Sequence, residues 1–387
     1  EEQATLRKFP SSAELFLKNG KTPFQLGEKI IQKDLAQTLR EIAQTKDQSF
    51  YEGALAKKIV SESSRLGKWL SRDDFKNYKV RWMEPVQGKF GEYQLFSMPP
   101  PSSGGTHVIQ ILNLFEKLGG REFEAFSVPY LHRLSSSMQV AFRDRARFMG
   151  DPDFVSVPTQ QLLSESYLNE LKEMWNPRKA WTAIELENRF SAFEESNDTT
   201  HFSMMDAEGN VVVSTQTING WFGSGWVVPG TGILMNNEMD DFSAKTGASN
   251  LFGAIGGQPN SVAPHKTPLS SMSPTIVMKG DLPILAVGAP GGTKIITCVA
   301  QTILHYLNDQ YPLYESIALP RIHHQWRPDA MTIESQDLMD RAGAGLKGLG
   351  YSATTGKVAC NVMAVSREGS KLHGVSDPRD FGMSLGE

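Results

Sequence analysis

The stretch from Asp198 to Lys245 constrains this chain more than any other. It opens on two adjacent threonines, Thr199 and Thr200, and alternates from His201 through Met205. A polar turn, Ala207-Glu208-Gly209-Asn210, then leads into the β-branched run Val211-Val212-Val213-Ser214-Thr215. Two β-like runs around a glycine-containing turn predict a hairpin. A register symmetric about the Glu208–Gly209 bond sets position 199 opposite 218, where Thr217 and Asn219 share a face and flank that partner. A slip of one residue would exchange these neighbours for Gln216, Ile218 and Gly220. Thr199 is therefore a hydroxyl nucleophile candidate with a Thr and an Asn as expected neighbours.

The residues after the hairpin carry further polar chemistry. Five glycines between Gly220 and Gly232 permit tight turns near a ligand. Asn236-Asn237-Glu238-Met239-Asp240-Asp241 concentrates three carboxylates and two amides, a costly arrangement unless solvated or given a cation. It reads either as a solvated loop or as a site for a substrate ammonium; the spacing does not match a calcium-binding EF-hand loop. Residues 246–260 are rich in small residues, with Leu251, Phe252 and Ile255 among glycines, and read as a flap. Leu282–Ala289 reads as a buried strand and Thr293–Leu307 as an apolar helix, joined by Pro290-Gly291-Gly292. Consecutive glycine N–H groups entering a helix can stabilise an oxyanion, and a plain strand-to-helix turn is the alternative.

Upstream, residues 1–70 look helical, with apolar positions at helical spacing from Leu26 and again from Ala54 to Ser61, and Ser71-Arg-Asp-Asp starts a capped turn. From Val86 to Met98 the pattern is that of a hairpin. Pro99–Gly105 then precedes a helical stripe of Val108, Ile111, Leu112, Phe115 and Leu118. That Ser/Gly-rich turn reads as a self-satisfied cap or as an anion site. Arg143-Asp144-Arg145-Ala146-Arg147 reads as a solvated or salt-bridged helix face. Residues 156–198 lose periodicity and end in Glu194-Glu195-Ser196-Asn197-Asp198, a surface linker suited to being cut.

Several function classes are disfavoured. A net charge of −4 gives no electrostatic reason to expect nucleic acid or an anionic membrane as partner, and no apolar run is long enough to span a bilayer. Adjacent His323 and His324 would point to opposite sides of a strand, so no metal site is expected there. No CxxC, HExxH, P-loop or GxSxG pattern occurs. Of the two cysteines, Cys298 lies in an apolar run and reads as a buried thiol, with one disulfide to Cys360 as the alternative. The first residues, Glu1-Glu2-Gln3, do not form a signal peptide, so the chain is expected to be a processed protein or a fragment.

The run TTHFS, then TxN, GILMNNEMDDFSAK, PLSSMSPT and GAPGGTKIIT resembles the γ-glutamyltransferase (γ-glutamyltranspeptidase) family of N-terminal nucleophile hydrolases. MPPPSSGGTH at 98–107, MGDPDF at 149–154, RIHHQW at 321–326 and SDPR at 376–379 extend the resemblance over nearly the whole chain. It implies an α+β, four-layer αββα sandwich, complete or incomplete here, and autocleavage of the Asp198–Thr199 bond. Residues 1–198 would then be the C-terminal part of a large subunit and 199–387 a small subunit, pairing as a heterodimer.

The implied activity is that of a γ-glutamyl hydrolase/transpeptidase. Thr199 attacks a γ-glutamyl amide such as glutathione, and water or the amine of an amino acid or peptide resolves the acyl-enzyme. Thr217 would hydrogen-bond the nucleophile, and Asn219, Glu238 and Asp241 would hold the α-ammonium. Ser270 and Ser271 would bind the α-carboxylate, and Gly291 and Gly292 would form the oxyanion hole. No cofactor or metal is implied, and a periplasmic or secreted location is. The flap would be a lid in which Phe252 stands where relatives often carry Tyr. Relatives have a further N-terminal region containing an arginine for the α-carboxylate, a role no residue here matches. A related amidase acting on poly-γ-glutamate or a β-lactam side chain, and a domain that never matures, are the alternatives.

Overall fold

A computed structural model describes residues 2–187, 199–243 and 258–386. Asp198 and Phe252 lie outside the described residues. The chain forms two compact units, one of Glu1–Met83 with Thr217–Glu238, the other of Glu84–Gln216 with Met239–Glu387.

The first unit wraps short helices around the glycine-rich segment. Its longer helices are Lys33–Thr45 and Ala54–Leu66. The helical spacing begins at Leu26 but the helix does not, because Gly27 takes a positive φ of 88° and turns the chain out of a helical path. Ser71 caps Arg72–Asn77 in a reciprocal box: its Oγ accepts the Asp74 N–H while Asp74 Oδ2 accepts the Ser71 N–H at 2.7 Å. Ile59, Trp226 and Val228 make the core. The Ser12 hydroxyl accepts the Val227 N–H (2.8 Å) and the Thr38 hydroxyl donates to the Thr231 carbonyl (2.8 Å), fixing a loop that would otherwise be free to move.

The second unit is built on a six-stranded antiparallel sheet. Its strands are β1 Val86–Phe90, β2 Tyr93–Ser97, β5 Thr275–Lys279, β6 Leu282–Gly288, β7 Met363–Glu368 and β8 Lys371–Ser376, in the order β8-β7-β6-β5-β2-β1. Helices α1 Gly104–Lys117 and α3 Lys294–Leu307 cover one face, and α2 Val128–Phe148 packs on α1. Apolar residues surround α3 on almost every side, as a central helix requires. The predicted hairpin, β3 Thr200–Met205 and β4 Val211–Gln216, lies against β6 and β7 on the other face. Helix, sheet and hairpin supply three of the four layers of an αββα sandwich.

Several readings of the sequence change, and the stretch 156–198, read as a linker without periodicity, contains a helix at Glu165–Met174. The hairpin pairs Thr200 with Gln216 and Met205 with Val211, so its register centres on Glu208 and not on the Glu208–Gly209 bond. The cause is a five-residue loop in which Asp206 accepts both the backbone N–H and the side-chain amide of Asn210, each at 2.7 Å. Cys298 is not a thiol. It joins Cys360 in a buried disulfide that ties α3 to the segment leading into β7. Beside it, the buried Arg321 donates to the Cys360 carbonyl (2.8 Å) and to Asp377 (2.6 Å). Replacing both cysteines by alanine is expected to cost about 2–4 kcal/mol, read as a lower denaturant midpoint than that of the oxidised protein.

Candidate active site

The expected site residues divide between the units, with Thr217, Asn219 and Glu238 in the first and Thr199, Asp241, Ser270, Ser271, Gly291 and Gly292 in the second.

In the first unit, the Thr217 hydroxyl accepts the Asn219 N–H at 2.8 Å, which holds Asn219 at a positive φ of 73°. Non-glycine residues with such a φ are rare and mark places where the chain is shaped for something other than regular structure. Asn219 is buried, and its Nδ2 donates to the Asn237 carbonyl (3.1 Å). That leaves Oδ1 as the atom suited to accept from an ammonium. The Asn237 side chain accepts the Gly220 N–H (2.8 Å) and the Asn236 side chain accepts the Glu238 N–H (3.0 Å). The two amides of the acidic cluster are thus spent on shaping the backbone around Glu238. A single 3-10 turn, Glu238–Asp241, carries the chain into the second unit, where Asn260 Nδ2 donates to the Asp241 carbonyl at 2.7 Å.

In the second unit, three candidate segments meet at one end of the sheet. β5 and β6 are antiparallel, with Thr275 opposite Val287. Ser270-Ser271, shortly before β5, and Gly291-Gly292, shortly after β6, therefore lie at the same end. β3 runs over this sheet with the imidazole of His201 on Gly288, the last residue of β6, where any Cβ would collide with the ring. Thr199, two residues before His201, is carried to that end as well.

His201 has a defined state. Its Nδ1 and Nε2 pair with the hydroxyls of Thr215 (2.8 Å) and Ser203 (2.9 Å), and burial lowers its pKa to about 4. The ring is neutral at pH 7 and engaged at both nitrogens, so it orients β3 and is no base for Thr199. Burial likewise lowers His107 to about 4 and His323 to about 3. These groups bind protons more readily in the unfolded chain, at its ordinary value near 6.5. Their stabilisation is complete above that pH and is lost as pH falls towards 4. The urea midpoint is expected to drop over that window, and His201→Asn to remove about one proton from the slope.

The glycine turn is held from behind. Gly291 and Gly292 have φ of 139° and 56°. A Cβ on Gly291 would stand 2.8 Å from the Ala359 carbonyl oxygen and 2.9 Å from the Cys360 Cα, and the Asn361 N–H donates to the Pro290 carbonyl at 3.3 Å. The disulfide therefore braces the segment on which this turn rests.

The turn at 99–105 is not an isolated cap. Ser103 donates both its N–H and its hydroxyl to the Ser270 carbonyl (2.9 Å each), and the Ser270 N–H donates to the Pro101 carbonyl (2.9 Å). The charge cluster at 143–147 takes the salt-bridged of its two readings: Arg143, Asp144 and Arg145 are buried, and Arg143 pairs with Asp144. Asp144 accepts from Arg143 (2.7 Å), Gln110 (2.7 Å) and Tyr167 (2.7 Å). Arg145 reaches Ser103 and Ser271. A signal for it existed, since Leu131, Leu134, Met138, Ala141 and Arg145 recur at the three- and four-residue steps of one helix face. His323 and His324 turn to Thr297 and Ser135 respectively.

The sequence model of the family described as Gamma-glutamyltranspeptidase matches residues 1–386. The glutathione hydrolase proenzyme of Escherichia coli K12 is 38% identical over 372 residues, covering 95% of this chain and 63% of the relative. The acylase ACY 1 proenzyme of Pseudomonas sp. SE83 is 33% identical, covering 82% of this chain and 54% of the relative. The crystal structure of cephalosporin acylase from Bacillus halodurans superposes with a TM-score of 0.79 at 24% identity, covering 97% of this chain and 65% of that one. This likeness gives the fold as that of the N-terminal nucleophile hydrolases. The chain spans about two-thirds of the length of the glutathione hydrolase proenzymes it resembles. Among the described residues no helix is long and apolar enough to cross a membrane.

Proposed function

The chain belongs to the γ-glutamyltranspeptidase family, and from that membership we propose that it is an autoprocessing γ-glutamyl hydrolase/transpeptidase with Thr199 as nucleophile. The observation that carries the proposal is the convergence of β3, the Ser270-Ser271 pair and the Gly291-Gly292 turn on one end of the sheet.

Maturation comes first. Thr199 Oγ attacks the Asp198 carbonyl, the acyl group moves from nitrogen to oxygen, which frees the Thr199 amine, and water hydrolyses the ester, releasing the Asp198 carboxylate and the Thr199 hydroxyl. A threonine hydroxyl needs a base, and an α-amine with an ordinary pKa of about 7.7–8.0 serves near neutral pH. The need for a base within the residue itself fits the neutral, fully engaged state of His201. While the Asp198–Thr199 bond is intact that nitrogen is an amide and no base.

In turnover the Thr199 amine takes the hydroxyl proton, Oγ attacks the γ-glutamyl carbonyl, and the N–H groups of Gly291 and Gly292 stabilise the oxyanion. The proton passes to the leaving amine. Water or an amino acid or peptide amine then resolves the acyl-enzyme. Thr217, Asn219, Glu238 and Asp241 keep the roles the resemblance implies, and Ser270 and Ser271 anchor the α-carboxylate. The two products of cleavage, residues 1–198 and 199–387, stay together as a heterodimer. A periplasmic or secreted location fits the Cys298–Cys360 disulfide, which an oxidising compartment sustains.

A second reading, an acylase of β-lactam side chains, is favoured by the acylase ACY 1 relative. Comparing kcat/KM for a γ-glutamyl anilide, a glutaryl anilide and poly-γ-glutamate separates them. The proposal expects the γ-glutamyl anilide to lead. A preference for glutaryl, which lacks the α-ammonium, would overturn it.

A further inference from the structure

We infer that Arg145 is a positioning and specificity-determining residue for the substrate α-carboxylate, acting through Ser271; the inference rests on the functional reading above. The guanidinium is buried, with Arg145 only 5% exposed, and lies within hydrogen-bond reach of two serines. Nη2 donates to Ser271 Oγ at 3.0 Å and Nε donates to Ser103 Oγ at 3.0 Å. Ser103 in turn donates its hydroxyl to the Ser270 carbonyl at 2.9 Å.

A serine hydroxyl has one proton and two acceptor lone pairs. Because a guanidinium has no acceptor, Ser271 can only accept from Arg145, and its own proton is left for a group on another side. A carboxylate takes that proton as a charge-assisted hydrogen bond. Ser270 is held in step by the same guanidinium, through Ser103. Arg145 thus fixes both serines and selects for an anion without touching it.

A merely architectural arginine would brace the same three segments, so the test needs a substrate that tells the roles apart. We would measure kcat and KM of the unmodified protein, Arg145→Met and Arg145→Lys with γ-glutamyl anilide and with 4-aminobutyryl anilide. The second keeps the ammonium and lacks the α-carboxylate. The expected result is a rise in KM for γ-glutamyl anilide of roughly 10- to 100-fold in Arg145→Met, with kcat changed far less. Preference for γ-glutamyl over 4-aminobutyryl should fall by a similar factor. Arg145→Lys, which keeps the charge but loses the fork, should fall between.

Equal losses on both substrates would make the role architectural and overturn the inference. If Arg145→Met does not mature, Arg145→Lys decides, and an unchanged preference in it overturns the inference alone. No γ-glutamyl turnover by the unmodified protein would overturn the functional reading and this inference together.

Discussion

Thr199→Ala is expected to leave an uncut chain of about 42.8 kDa and to lower γ-glutamyl turnover by at least about 10⁴-fold. In the proposed mechanism one residue supplies the nucleophile for both maturation and catalysis, and its amine exists only after maturation, so the two losses cannot be separated by this substitution. Thr199→Ser separates hydroxyl from methyl and should still be cut, more slowly. A denaturing gel and an anilide assay on the three proteins check both statements. An Ala variant that is cut as efficiently as the parent would sink the mechanism.

The second large effect is expected at Gly291. At a φ of 139° an L-residue is strained whatever the space around it, and here the added methyl also meets the Ala359 carbonyl and Cys360. Neither can withdraw easily, because Cys360 is pinned by its disulfide to α3 and by Arg321. The turn must move instead, and donors aimed at an oxyanion lose their value with a small displacement. Gly291→Ala should lower kcat by about 10²- to 10³-fold, with a smaller change in KM, since the oxyanion forms in the transition state. A variant with normal kcat would remove this turn from the chemistry. The double cysteine-to-alanine protein offers a milder probe of the same brace.

Much of this was legible in the sequence because it depends on short-range rules. The β3–β4 hairpin follows from alternation around a glycine-containing turn, the capping box from Ser71 and Asp74 at the right spacing, and the β6-turn-α3 unit from a buried run punctuated by Pro290-Gly291-Gly292. What was not legible depends on the local loop or on partners far along the chain. The register moved by one residue because Asp206 closes its loop on Asn210, a side-chain choice that alternation does not encode. Cys298 and Cys360 are 62 residues apart, and no local pattern pairs them. Between a solvated and a salt-bridged face, the charged neighbours of Arg145 in sequence did not decide. Arg145 is buried with Ser103 and Ser271, 42 and 126 residues away, among the acceptors of its guanidinium.

The central claim is that Thr199 becomes a chain terminus and then the nucleophile. It is tested most directly by intact-mass analysis and N-terminal sequencing of the purified protein, before and after treatment with a γ-glutamyl affinity label. The account predicts two polypeptides, residues 1–198 and 199–387, the second beginning Thr199-Thr200-His201 and alone gaining the mass of the label. A single unlabelled chain of about 42.8 kDa, or a second piece that begins at any other residue, would contradict it.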